Sequence, residues 1–188
     1  MIMTEEELRK LLRVLLNAGI EAAILLGFPN IPLIKPPAAE SMKTLVVTSM
    51  LNDIQVTKKG RKHSILLDGK VKEINEVTVG GVGGVDPHQN IDALIKNREK
   101  PEVIISYFPA KGCGDYIPQL DVRKGLGELK ELIIHVKPAT LITGGTTNEE
   151  CRMHETLVLT VARRSYLIID LFSNGEPESF RWLKLPSH

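Results

Sequence analysis

The sequence predicts an α/β fold: a Rossmann-like, mainly parallel sheet covered by helices on both faces, with an inserted antiparallel hairpin segment. Three observations predict it. Short apolar runs such as "TLVVTSML", "PEVIISYF" and "ATLIT" recur along the chain, as strands buried on both faces require. Segments with helical spacing separate them, and parallel strands need such crossovers. The stretch "DIQVTKKGRKHSILLDGKVKEINEVTVGG" instead alternates polar and apolar residues between turn signals, which is the pattern of a small antiparallel sheet.

Taken in order, Thr4 and Glu7 form a capping-box pattern, and Leu8, Leu11, Leu12, Leu15 and Leu16 repeat at helical spacing. The spacing predicts a helix over Glu5 to Asn17, ended by Gly19. "AAILLGF" reads as a buried strand. "PNIPLIKPP" is a connector, because its prolines lack amide donors and restrict their neighbours. "TLVVTSML" is the second strand, rich in β-branched residues. Asp68-Gly69, between "HSILL" and "KVKEI", predicts a hairpin turn.

"GGVGGVD" lacks the spacing of the dinucleotide fingerprint and reads as a flexible or closely packed loop before a proline turn. "HQNIDALIKNR" is a short helix and "PEVIISYF" the third strand. "VRKGLGELKELIIHV" is a helix weakened by Gly125 and Gly127. "ATLIT" and "SYLIIDLF" are the fourth and fifth strands, and the alternating tail "ESFRWLKL" suits an edge strand.

The 188 residues fit one α/β domain, 1–188, with a hairpin-rich subregion at about 53–80. A formal net charge of +1 exerts no global pull toward nucleic acid or membrane. No run approaches the ~20 apolar residues that span a bilayer. The charged N-terminus has no secretion-signal pattern. The expectation is a cytoplasmic chain whose two cysteines, Cys113 and Cys151, are reduced and form no disulfide framework. The basic cluster "KKGRKH" reads as a solvated hairpin tip, so direct nucleic-acid binding is not supported. Cys151 and His154 stand one helical turn apart, but two ligands do not close a metal site, and no metal or cofactor is predicted.

The candidate site centres on Thr143-Gly144-Gly145-Thr146-Thr147. In α/β sheets ligands gather beyond the carboxyl ends of the strands, where loops enter helices. Glycine allows close approach, and free amides at a helix start suit an anion. The rival reading is a plain capped turn, since Thr147 and Glu150 make a capping box with Glu149 beside them, and carboxylates there repel phosphate. Lys111, in the loop after the third strand, could meet a phosphate as a point charge. Ser49, after the second strand, shares the same edge. No acid–base set is visible, so catalytic residues are not assigned.

Leu141 to Phe172 resembles the signature of CRISPR-associated Rossmann-fold (CARF) sensor domains, in which a strand leads through a Thr-Gly-Gly-Thr-like turn to a helix and another strand. The resemblance implies a homodimer with cyclic oligoadenylate across a shared cleft, cleaved without metal in some members. It carries Thr143, Gly144, Gly145, Thr146 and Thr147 over as ligand contacts. The function expected is therefore binding of a nucleotide-like anion. The alternative is a non-catalytic assembly protein that pairs through its hairpin and C-terminal edge strand.

Overall fold

The computed structural model describes residues 5–27, 42–50 and 65–184. Thr4, the proline connector, Asn52 and the basic cluster Lys58 to His63 lie outside the described residues. Helix α1, Glu5–Asn17, buries Leu8 and Leu12 against Met42 and the Ala23–Leu25 side of strand β1, Ala22–Leu26. Gly19 ends it as the sequence predicts. At φ 79 it donates to the Leu16 carbonyl, and Ile20 donates to that of Leu15.

Strand β2, Lys43–Val47, pairs in parallel with β1. The main sheet has six strands in the order β3-β4-β5-β8-β10-β9. These are β3 Val71–Ile74, β4 Val77–Val82, β5 Val103–Ser106, β8 Thr140–Gly145, β9 Glu149–Met153 and β10 Thr156–Ala162. Strands β4, β5, β8 and β10 are mutually parallel, and β3 and β9 flank them antiparallel. Isolated bridges from Leu66 to Val46 and from Asp68 to Gly81 sew the β1–β2 pair to β4.

One face of the main sheet carries α2, Pro87–Lys96, and α3, Glu128–Val136, packed on Ile104, Leu141 and Val158. The opposite face is covered by an antiparallel ribbon of β11, Ser165–Leu171, and β12, Pro177–Lys184. Its Leu167, Ile169 and Leu171 pack with Val103, Ile105 and Ile142. The Trp182 indole donates to the Thr160 carbonyl at 3.0 Å, and the Thr140 hydroxyl donates to the Gly175 carbonyl at 2.8 Å. These bonds pin the ribbon near both ends of the sheet.

The result is a mixed α/β fold, richer in strands than expected. A ribbon, not a second helical layer, covers one face, and "SYLIIDLF" belongs to that ribbon instead of the central sheet. Asp68-Gly69 does form a turn, with Lys70 donating to the Leu67 carbonyl. It is no hairpin, because the Asp68 carboxylate takes the Thr48 amide and hydroxyl and draws the preceding residues toward β2. The two-residue hairpin turn is Asn75-Glu76, both at positive φ, between β3 and β4.

The segment Gly80 to Asp86 joins a strand to a helix directly. Asp86 caps α2 by accepting from the Gln89 amide, with Pro87 in the first turn. The expected helix from Val122 starts only at Glu128. Val122–Arg123 is instead strand β7, paired with β6, Tyr116–Ile117. The helix expected after Thr147 is absent: β9 and β10 fill that stretch. Among the described residues no helix is long and apolar enough to cross a membrane.

Candidate functional site

The parallel register brings the ends of β2, β5 and β8 to one edge, as the sequence reading requires. A β-carbon on Gly27 would touch the Tyr107 ring and the Ser49 β-carbon, and one on Gly144 would lie 2.7 Å from the Tyr107 carbonyl oxygen. Ser49 is buried there.

The Thr143–Thr147 corner, however, bonds to the protein itself. Thr143 is fully buried, its hydroxyl 3.1 Å from that of Thr160. Gly144 and Gly145 stay in register with Val161 and Ala162. The Thr146 hydroxyl donates to the Tyr116 carbonyl at 2.6 Å. Thr147 is exposed on the turn. Glu149 accepts from the Gly114 amide at 3.1 Å, so the carboxylate that sequence placed beside a helix start anchors a loop. With no helix beginning here, the corner has no helix-terminal amides to offer an anion.

That loop, Phe108 to Gly127, folds over the ends of β8 and β10 and reaches the helical face. Its base is closed by the Leu126 amide on the Pro109 carbonyl at 2.8 Å. Inside it, the side chain of Asp115 is fully buried and accepts from Arg123 at 2.8 Å. Burial pushes the Asp115 carboxyl up. The Gly112 amide, the hydrogen bond and charge of Arg123 and the Gly125 amide outweigh it, and the carboxyl sits below its ordinary range. The Tyr116 hydroxyl donates to Asp121 at 2.8 Å, which raises its pKa.

Cys113 and Cys151 are joined by a disulfide across 38 positions of sequence, contrary to the expectation of free thiols. The bond excludes Cys113 as a nucleophile and Cys151 as a metal ligand while it is closed. Among the described residues no three His, Cys, Asp or Glu side chains gather as a metal-binding group.

The disulfide stands beside a pocket of about 300 Å³, lined by Lys111, Gly112, Lys130, Arg152, Met153 and His154. Three separate elements supply it: the Lys111 loop, the first turns of α3, and the end of β9 with its turn. Among the described residues none of these four basic side chains has an acidic partner. His154 opens the two-residue turn between β9 and β10 at φ 55, a left-handed conformation that costs any residue but glycine some strain, though histidine adopts it more often than most. Lys111 was a sequence candidate; Lys130 was not. Arg152 and His154 were read on a helix, which would have put them on a different surface.

No protein-family model matches the chain, and no curated protein matches it. Solved structures similar to the chain include two that cover nearly all of it. One is the crystal structure of TT1561 of Thermus thermophilus, at 15% identity and a TM-score of 0.68, covering 95% of this chain and 92% of that one. Another solved structure, at 12% identity and a TM-score of 0.71, covers 98% of this chain and 96% of its own. At such identities the likeness is one of fold, and this chain shares its mixed α/β fold with both over nearly its whole length.

Proposed function

We propose that the protein binds a small phosphorylated, nucleotide-like ligand in the pocket of Lys111, Lys130, Arg152 and His154. The observation that carries this is the convergence of three formal cations and a histidine, unpaired among the described residues, on one concavity. Like charges gathered without a counter-charge repel one another, and a bound anion relieves that repulsion. Lysine suits phosphate as a point charge, and arginine binds it as a planar fork. The volume lies at the small end of ligand sites, which favours one phosphorylated group over a cyclic oligonucleotide.

A Rossmann-like origin for the sheet belongs to the same reading. Parallel β4, β5, β8 and β10 and the glycine loop entering α2 support it. A cytoplasmic setting, where phosphorylated metabolites abound, fits it as well. No reaction is assigned: among the described residues no carboxylate lines the pocket beside His154.

The test is calorimetry with pyrophosphate, nucleoside mono-, di- and triphosphates and cyclic oligoadenylate at physiological salt. Lys111→Ala with Lys130→Ala is expected to weaken binding about tenfold or more at an unchanged melting temperature. Equal affinities, or no binding by any anion, would refute the site. The assembly reading keeps one support, the β11–β12 ribbon, which pairs with no third strand among the described residues. An unchanged mass in light scattering after substitutions along β12 would count against it.

A further inference from the structure

We propose that the Cys113–Cys151 disulfide is a reducible latch that holds the Lys111 arm of the pocket against β9 and so sets its grip on phosphate. The inference rests on the ligand reading above and adds its regulation. Lys111 and Gly112 directly precede Cys113, and Arg152 and Met153 directly follow Cys151. One covalent bond therefore joins the two walls of the pocket that come from different parts of the chain.

Among the described residues the other ties between these walls are non-covalent: the Gly114 amide donates to the Glu149 carboxylate, the Met153 methyl lies near Gly112, and Cys151 and Met153 pack on the core that holds Ala110 and Cys113. Gly112 and Gly114, both at positive φ, flank Cys113, so the backbone between the Lys111 amide, bonded to Leu126, and the buried Asp115 can re-orient once the bond opens. The third wall, Lys130 on α3, is held by Leu129, Leu132 and Ile133 in the core and does not depend on the latch.

Cys113 is fully buried, whereas Cys151 is only half-buried, so attack falls on Cys151. The thiolate of a small dithiol forms a mixed disulfide at Cys151 Sγ, the original bond breaks, and Cys113 leaves as a thiolate that takes a proton. The second thiol of the reagent then displaces Cys151 and closes a cyclic disulfide. Two electrons pass from the dithiol to the cysteine pair. Opening the latch lets Lys111 drift from Lys130 and His154, and affinity falls because the charges are no longer held in place.

Hydrogen exchange on the full chain, oxidised and reduced with dithiothreitol, tests the latch; calorimetry with pyrophosphate tests the coupling. Reduction is expected to speed exchange at Gly112 to Gly114 and in β9 while leaving Leu132 to Val136 unchanged, and to weaken pyrophosphate about tenfold. The Cys113→Ser, Cys151→Ser double variant should match the reduced protein without reagent. Unchanged exchange in both reduced protein and variant overturns the latch whatever the binding. Faster exchange with equal pyrophosphate affinity overturns the coupling. Faster exchange with no pyrophosphate bound in either state upholds the latch and overturns the ligand reading.

Discussion

The buried carboxylate of Asp115 accepts a 2.8 Å hydrogen bond from Arg123, and this pair closes the base of the β6–β7 hairpin. The Lys124 amide donates to the Asp115 carbonyl beside it, and the Arg123 guanidinium lies 5.8 Å from the Tyr116 ring. The loop that supplies Lys111 and Cys113 is thus built around one buried negative charge.

Arg123→Ala should cost about 1–3 kcal/mol at neutral pH, because it strands a buried carboxylate; the 58% exposure of Arg123 keeps the loss below that of a fully buried pair. The sign with pH follows from the depressed carboxyl of Asp115. Its contribution is whole above the unfolded value, about 3.9, and disappears as pH falls through the folded value. Urea melts at several pH values should show the gap between wild type and variant narrowing below about pH 4. A gap that widens in acid would refute the assignment.

Cys151→Ser should lower stability by about 2–4 kcal/mol, since the bond closes a long loop in the unfolded chain. Guanidinium melts with and without dithiothreitol measure this. The variant should be insensitive to the reductant, and wild type should approach it when reduced.

Replacing His154 by glycine separates stability from binding. Relief of the positive φ should stabilise by up to about 1 kcal/mol after the entropy cost of glycine. Loss of the imidazole should weaken pyrophosphate several-fold. A variant that is less stable and binds as before would contradict both halves.

Gly145→Ala tests the corner that sequence marked as a phosphate cradle. The new methyl would lie 2.3 Å from Thr160 Cγ2 and 2.7 Å from the Gly114 carbonyl oxygen. A loss of about 1–3 kcal/mol is expected in thermal melts without any ligand. The same crowding at Gly144 means that a bulky residue there cannot leave the melt intact, as an open turn would allow.

Strands β2, β5 and β8 were legible because burial on both faces leaves uninterrupted apolar runs. Helix α1 was legible from its leucine spacing, and α2 as the short segment after Pro87; that Asp86 caps it shows only in the fold. Strand β9 was not, because "TNEECRMHET" opens on a local capping box, Thr147 with Glu150, and has charged residues suited to a helix. Those charges equally suit an edge strand, where they discourage further pairing, and only the place beside β10 decides between the two. The helix from Val122 was overrun because Gly125 packs directly on the Lys111 backbone, a contact invisible to periodicity. Lys111 was legible as a cation on a loop. Its companions were not, since they come from two other elements that meet it only in the folded chain.

The β11–β12 ribbon has a consequence for how the chain matures. During synthesis the sheet and its helices leave the ribosome first, while Val103, Ile105 and Ile142 remain uncovered on one side until Lys184 has followed. A nascent intermediate with a bare aliphatic surface is thus an obligatory stage. Premature termination before Trp182 would yield insoluble material even though every strand of the six-stranded sheet had already been translated.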